Sequence, residues 1–118
     1  MTKTSFEFSM EISGGRAMLG AVRDLASHVA TYAGGKAVAS TVADEVVTAT
    51  EAAIAVGRGE GGSIEFRFIR SAECLDVYIS CGHAPTLAAT HLSRGLGLSV
   101  DWNLVGRRQV CHIRQVMA

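Results

Sequence analysis

The chain has 118 residues, 48% of them hydrophobic, and its eleven basic residues balance its eleven acidic ones. A chain of this length forms one domain that buries roughly two-thirds of its unfolded surface, so we predict a single domain over residues 1–118. The balanced charge argues against sequence-independent electrostatic binding of nucleic acid. No apolar run approaches the ~20 residues of a membrane-spanning helix, so we predict no membrane association.

The N-terminal segment and the cysteines indicate the cellular compartment. Residues 1–5 lack the apolar stretch of a secretory signal peptide, which predicts a cytoplasmic protein. Cys74, Cys81 and Cys111 are odd in number and form no Cys-x-x-Cys pair, so we expect reduced, mostly buried thiols. The histidines show no metal-ligand spacing, and we predict no metal site.

The first half of the chain predicts one strand followed by two helices. Apolar and polar residues alternate over residues 6–12, which is the period of a half-buried strand. From Arg16 the apolar residues follow helical spacing until Gly34-Gly35 ends the run. A second helix fits Lys36 to about Val56, before a glycine-rich break.

The second half predicts two antiparallel hairpins around a long loop. Strands at 63–70 and 73–81 are joined by the short Ser71-Ala72 link. Residues 82–93 show no period, and we expect a functional loop there. The strands at 102–105 and 110–116 form a closing hairpin with Gly106 in the turn. The sequence leaves open whether a short helix at 96–101 precedes that hairpin.

This order of elements predicts the α+β class, as a two-layer sandwich with an antiparallel sheet and helices packed on one face. The other face of the sheet is expected to be partly solvated. Its polar members include Glu65, Arg67, Asp76 and Ser80.

The strongest candidate site is a pair of glycines behind an arginine, in the segment Arg94-Gly95-Leu96-Gly97-Leu98. A glycine-rich loop that leads into a helix presents free backbone N–H groups to phosphate oxygens, and the helix dipole adds partial positive charge. We therefore predict an anion-binding or nucleotide-binding loop in this segment.

Several segments together resemble the ATP-binding domain of the GHKL (histidine-kinase-like) superfamily. They are Asp44-Glu45-Val46-Val47-Thr48, the 63–81 hairpin, the Gly82 loop and Arg94–Leu98, in that order. Within the superfamily they look most like the small bacterial anti-sigma factors and serine-protein kinases. The resemblance covers nearly the whole chain in topology, but only the last segment at the level of a motif.

The resemblance implies a domain that holds ATP and Mg²⁺ between a helix and a mobile lid, and that binds or phosphorylates partner regulators. It assigns Glu45 as the candidate catalytic base. It assigns the nucleotide-binding residues to Gly82, Arg94, Gly95, Leu96, Gly97 and Leu98.

Both nucleotide boxes depart from the family pattern. The asparagine that coordinates Mg²⁺ on the second helix is replaced by Ala49 in one register and by Ala52 in the other. An alanine methyl supplies no oxygen ligand for Mg²⁺. The Asp-x-Gly-x-Gly pattern reads Ser80-Cys81-Gly82-His83-Ala84, so Ser80 replaces the adenine-binding carboxylate and Ala84 the second glycine.

Simpler interpretations stand beside these assignments. Asp44 and Glu45 also fit solvated helix charges. Cys81 and His83 could pair a thiolate with an imidazole, the arrangement that nucleophilic catalysis needs, although a buried Cys81 and a loop-borne His83 would not meet.

Two functional hypotheses follow. The first is a noncatalytic regulatory module without a cofactor. It binds a protein, for example a sigma factor or an anti-anti-sigma-like regulator, through the open face of the sheet or through the helical face. An exposed sheet edge also predicts a homodimer. The second is an active ATP-dependent serine-protein kinase or anti-sigma factor that uses ATP and Mg²⁺, with ligands from positions such as Glu51 or Asp101. We adopt the first, because the residues of the nucleotide chemistry are replaced.

Overall fold

The structure, a computed structural model, describes residues 5–13, 15–56, 63–82, 90–95, 97–106 and 108–117. Within these ranges six strands form one antiparallel sheet, and two α-helices pack on it. The elements in chain order are β1 (Phe6–Ile12), α1 (Leu19–Tyr32), α2 (Ala39–Val56), β2 (Ile64–Arg70), β3 (Cys74–Gly82), β4 (Thr90–Gly95), β5 (Leu98–Val105) and β6 (Arg108–Val116). Short 3₁₀ turns at Gly15–Met18 and Lys36–Val38 lead into the two helices.

The strands lie in the order β1-β2-β3-β6-β5-β4, and every neighbouring pair is antiparallel. The predicted α+β class and the helix-backed antiparallel sheet are confirmed. We call the side of the sheet that faces the helices the inner face and the opposite side the outer face.

Alternation of apolar and polar residues gives the sheet its two faces, because successive side chains of a strand point to opposite sides. On β2 and β3 every second side chain is buried on the inner face. These residues are Ile64, Phe66, Phe68, Leu75, Val77, Ile79 and Cys81. They pack with the buried stripe of α2, which includes Val42, Val46 and Ala49. The second helix and the two strands that the sequence predicts here are confirmed.

Arg70 is a charged residue at the end of the inner face, and only 6% of its surface is exposed. Its Nε donates to the carbonyl oxygen of Ala33 at 2.9 Å, and its Nη1 donates to that of Ser71 at 2.5 Å. Ala33 follows directly after α1, where carbonyl groups lack helical partners and carry partial negative charge. Arg70 therefore fixes the end of α1 to the β2–β3 turn.

In the second half one expectation is corrected, and the open question of a helix at 96–101 is answered for the described residues. The segment expected to be a loop through Ser93 contains strand β4, which begins at Thr90, while residues 83–89 lie outside the described part. No helix follows Gly97 in the described residues, because β5 begins at Leu98. Apolar Leu98, Val100 and Trp102 alternate with polar residues, which is the period of a strand. A run of only three apolar residues is too short to distinguish a strand from a helix by its period.

Candidate functional site

The predicted phosphate loop is a turn between two strands. Gly95 ends β4 and pairs with Leu98, whose side chain is buried in the core. Gly97 has a φ of +76°, and its carbonyl oxygen accepts a hydrogen bond from the Val116 N–H at 2.9 Å. A Cβ at Gly97 would lie 3.0 Å from the Cβ of Val116. The glycine is required by the turn and by the close approach of β6, and the expected helix dipole is absent from this described segment.

Two further members of the predicted loop are Arg94 and Leu96. Arg94 lies within β4, and Leu96 lies outside the described residues.

The sheet separates Gly82 from this turn. Gly82 pairs with Arg108 at the start of β6, whereas Gly97 lies beside Val116 at its end. β6 has nine residues, and at ~3.3 Å per residue its two ends are roughly 26 Å apart. Gly82 and the Gly97 turn are therefore not brought together, although the resemblance assigned both to one nucleotide site.

Glu45, the candidate base, lies half-buried on α2, close enough to influence Cys111 on β6. Its neighbour Asp44 is exposed and pairs with Arg23 of α1 at 2.5 Å, as expected for a solvated helix charge. Ala49, at the position of the family's asparagine in one register, is buried in the core. An amide at that position would need a hydrogen-bond partner inside the apolar layer.

The second nucleotide box also lacks the expected geometry. Ser80 lies on the outer face, where its Oγ accepts a hydrogen bond from Arg108 Nε at 2.7 Å. It therefore points away from α2, and the inner-facing position next to it belongs to Cys81, which is buried. Burial raises the pKa of the Cys81 thiol, against a smaller lowering by Arg108. A neutral, buried thiol is a poor nucleophile; His83 and Ala84 lie outside the described residues.

Cys111 is a second buried thiol on the inner face. Burial, together with the nearby charges of Glu45 and Asp101 and the thiol of Cys81, raises the pKa of Cys111 to about 12. All three cysteines carry free thiols, and Cys74 is half-buried. The expectation that the thiols are mostly buried is confirmed.

The outer face carries a cluster of polar side chains that contact one another across two strands. Asp76 Oδ1 lies 2.6 Å from His112 Nε2 and accepts a hydrogen bond from Arg114 Nε at 2.9 Å. The hydrogen bond that Arg114 donates to Asp76, together with the negative charge of that carboxylate, raises the pKa of the Arg114 guanidinium. The ring of His112 stacks on Tyr78 with centroids 4.4 Å apart. We call Asp76, Tyr78, His112 and Arg114 the aspartate cluster.

Sheet register produces this cluster. Asp76 lies directly opposite Arg114, and Tyr78 lies opposite His112, on the central strands β3 and β6. Only 9% of the Asp76 side chain is exposed, whereas the sequence predicted that Asp76 would be solvated. Its two basic neighbours cover the carboxylate. Glu65 and Arg67 are exposed as predicted.

Two further ion pairs extend the polar surface across the outer face. Arg108 pairs with Glu65 at 3.1 Å, besides its bond to Ser80. Arg67 pairs with Glu7 of β1. The three arginines of the outer face, Arg67, Arg108 and Arg114, thus stay partly exposed and are held in place by neighbours on adjacent strands.

The sequence predicted the β2 and β3 side of this surface, but not Arg108, His112 and Arg114 as its partners. The predicted residues were Glu65, Arg67, Asp76 and Ser80. The alternation of the three β6 residues was visible, but the residues opposite them depend on which strand lies beside β6. β3 is distant in sequence, and nothing within either strand indicates the pairing.

The described residues hold no group of three or more His, Cys, Asp or Glu side chains arranged for a metal ion. No helix in the described ranges is long and apolar enough to cross a bilayer. No protein-family model matches the chain, and no curated protein matches it.

Proposed function

We propose that this chain is a noncatalytic regulatory module that acts in the cytoplasm by binding a protein on the outer face of its sheet. The observation that carries the proposal is the aspartate cluster: a nearly buried carboxylate holds a histidine and an arginine on an open sheet surface. Side chains ordered before docking lose less conformational entropy on binding.

The residue types of the outer face also favour a protein partner. Tyrosine and arginine are enriched among residues that dominate interface energies. Tyr78 presents a ring that is stacked on His112, and Arg67, Arg108 and Arg114 offer guanidinium donors in fixed positions. This surface suits a partner that brings carboxylates and apolar side chains.

The position of the glycines supports the noncatalytic role over the kinase alternative. Gly82 and the Gly97 turn lie at opposite ends of β6, and Ser80 faces away from α2. In this proposal the module needs neither ATP nor Mg²⁺. The resemblance to anti-sigma factors makes a sigma factor or an anti-anti-sigma-like regulator the first partner to test.

Calorimetric titration with ATP and Mg²⁺ separates the two functions. We expect no heat of binding up to millimolar ATP. Binding with a micromolar Kd, which corresponds to about −8 kcal/mol, would overturn the noncatalytic role in favour of the kinase alternative.

Partner binding is tested with purified sigma factors and anti-anti-sigma regulators from the same genome. We expect Arg67→Ala, on the outer face, to weaken the complex at least about tenfold. Arg23→Ala is the matched control, because Arg23 is also an exposed, ion-paired arginine but lies on α1. Loss of binding in Arg23→Ala alone would show that the partner docks on the helices and not on the outer face.

A further inference from the structure

The outer side of β1 carries a carboxylate that its own sheet does not neutralise. Glu11 lies directly opposite Glu65 of β2, and its Oε2 accepts a hydrogen bond from the Ser63 hydroxyl at 3.0 Å. Among the described residues Glu11 contacts this hydroxyl and no cation, whereas Glu65 pairs with Arg108 on its other side. Like charges directly opposite each other destabilise a sheet. A positive charge on the open side of Glu11 would offset this repulsion.

That open side is the edge of the described sheet. β1 lies at one end of the sheet and pairs with β2 over all seven of its residues with no shift of register. The strand at the opposite end, β4, has a register shift between Ser93 and Gly95. Bulges and similar irregularities hinder the addition of a further strand, so β1 is the more accessible edge.

The inner side of β1 leaves aromatic surface uncovered. The Phe8 ring stacks on Phe68 with centroids 5.0 Å apart, yet 38% of Phe8 is exposed. Tyr32, the last residue of α1, contacts Phe6 with ring centroids 5.5 Å apart and is 71% exposed. Exposed apolar surface of this kind marks an interaction site. Here it gives the apolar side chains of an added strand a place to pack.

We propose that β1 binds an extended segment of another protein as an additional antiparallel strand, with basic side chains on one face of that segment and large apolar side chains on the other. The basic side chains lie opposite Glu7 and Glu11, and the apolar side chains lie opposite Phe8 and Met10. The spacing of these four residues defines the segment as basic-apolar-any-apolar-basic. Backbone hydrogen bonds supply the affinity of such a strand, and its alternate side chains supply the specificity.

A second copy of β1 matches this edge less well. Antiparallel self-pairing about Phe8 places Glu11 opposite Ser5, and self-pairing about Ser9 places Glu7 opposite Glu11. Neither arrangement brings a cation to Glu11. β2 separates the edge from the aspartate cluster, so this site is distinct from the surface of the proposed function and does not depend on it.

Calorimetric titration with synthetic peptides tests the proposal. The probe, which we call the lysine peptide, is capped Ser-Lys-Phe-Thr-Val-Lys-Ser. We expect it to bind with a Kd of about 100 μM or below. A glutamate peptide, with both lysines replaced by glutamate, should bind more weakly. So should the scrambled peptide Ser-Lys-Thr-Phe-Lys-Val-Ser, which mixes basic and apolar side chains on one face. Absence of binding by the lysine peptide, or equal binding by either of the others, would overturn the proposal.

Glu11→Lys tests the charge contact. At about 0.1 M salt, where charges more than about 10 Å apart are screened, we expect this variant to bind the lysine peptide at least about threefold more weakly than wild type. It should bind the glutamate peptide more tightly. Glu73→Lys is the matched control, because Glu73 is also exposed but lies in the β2–β3 turn. Circular dichroism verifies that both variants fold. Equal affinity of the two variants for the lysine peptide would contradict the contact at Glu11.

Amide hydrogen exchange locates the bound peptide. An added strand pairs with the backbone groups of β1 that face away from β2, so we expect saturating lysine peptide to slow exchange within residues 6–12 and to leave β4 unchanged. Slowed exchange in β4 in place of β1 would overturn the proposal. Protection of the same β1 amides without peptide, increasing with the concentration of the chain, would assign the edge to a second copy and overturn it equally.

Discussion

Arg70 shows how one residue can connect two elements. Its guanidinium reaches the carbonyl oxygens of Ala33 and Ser71 from a position that is almost fully buried. Removing the side chain would leave these acceptors without their donor, and a buried polar group without a partner costs more than the net value of a hydrogen bond.

We expect Arg70→Met to lower the free energy of unfolding by about 2–4 kcal/mol, measured by urea denaturation. Arg67→Met is the control: it lies on the same strand, but its side chain is 56% exposed. Exposed ion pairs contribute about 0–1 kcal/mol. Equal losses in the two variants would show that the contacts of Arg70 with α1 and the turn do not stabilise the fold.

The raised pKa of the Cys111 thiol makes the stability of the fold depend on pH. Its pKa is about 12 in the fold, against 9.0 for an unperturbed thiol, so the unfolded chain loses this proton first as the pH rises. The stabilising effect is complete below pH 9 and is lost between pH 9 and 12, by up to about 1.4 kcal/mol per pH unit. Cys111→Ala should show a shallower slope over this range in denaturation experiments. Identical slopes would contradict the raised pKa.

At the scale of elements, the β4–β5 turn is set by its glycine. Gly97 combines a φ of +76° with the close approach of Val116, whereas Gly106 in the β5–β6 turn has a φ of +63° and open space around it. Positive φ costs a residue with a side chain about 1–2 kcal/mol. The close approach adds a steric cost at Gly97 alone.

We therefore expect Gly97→Ala to destabilise the chain by about 2–3 kcal/mol and Gly106→Ala by about 1 kcal/mol, as measured by thermal denaturation. Gly20→Ala gives the opposite sign, a gain of about 0.5–1 kcal/mol, since Gly20 lies in α1 with open space around it. A Gly97→Ala variant no less stable than Gly106→Ala would argue against packing between the turn and β6.

At the scale of the whole molecule, the pattern of apolar and polar residues along the sequence was sufficient to predict most helices and strands. It was not sufficient to predict the polar cluster of the outer face. Residues 6–12 and 64–70 alternate over a full strand, and α2 has a long apolar stripe, so their types could be predicted. Gly97 was assigned to a phosphate loop because a glycine turn looks the same before a helix as before a strand. Asp76 was expected in water because its partners, His112 and Arg114, come from a strand more than thirty residues away in sequence.

The strand order has a consequence for synthesis on the ribosome. β6 lies between β3 and β5, so β1-β2-β3 and the β4–β5 hairpin share no strand neighbour until residues 108–116 are made. Until that segment leaves the exit tunnel, β3 and β5 each have an unpaired edge, and the two parts of the sheet stay separate. Joining such distant segments is slow compared with local contacts. β6 then completes the hydrophobic layer by pairing with β3 on one side and β5 on the other.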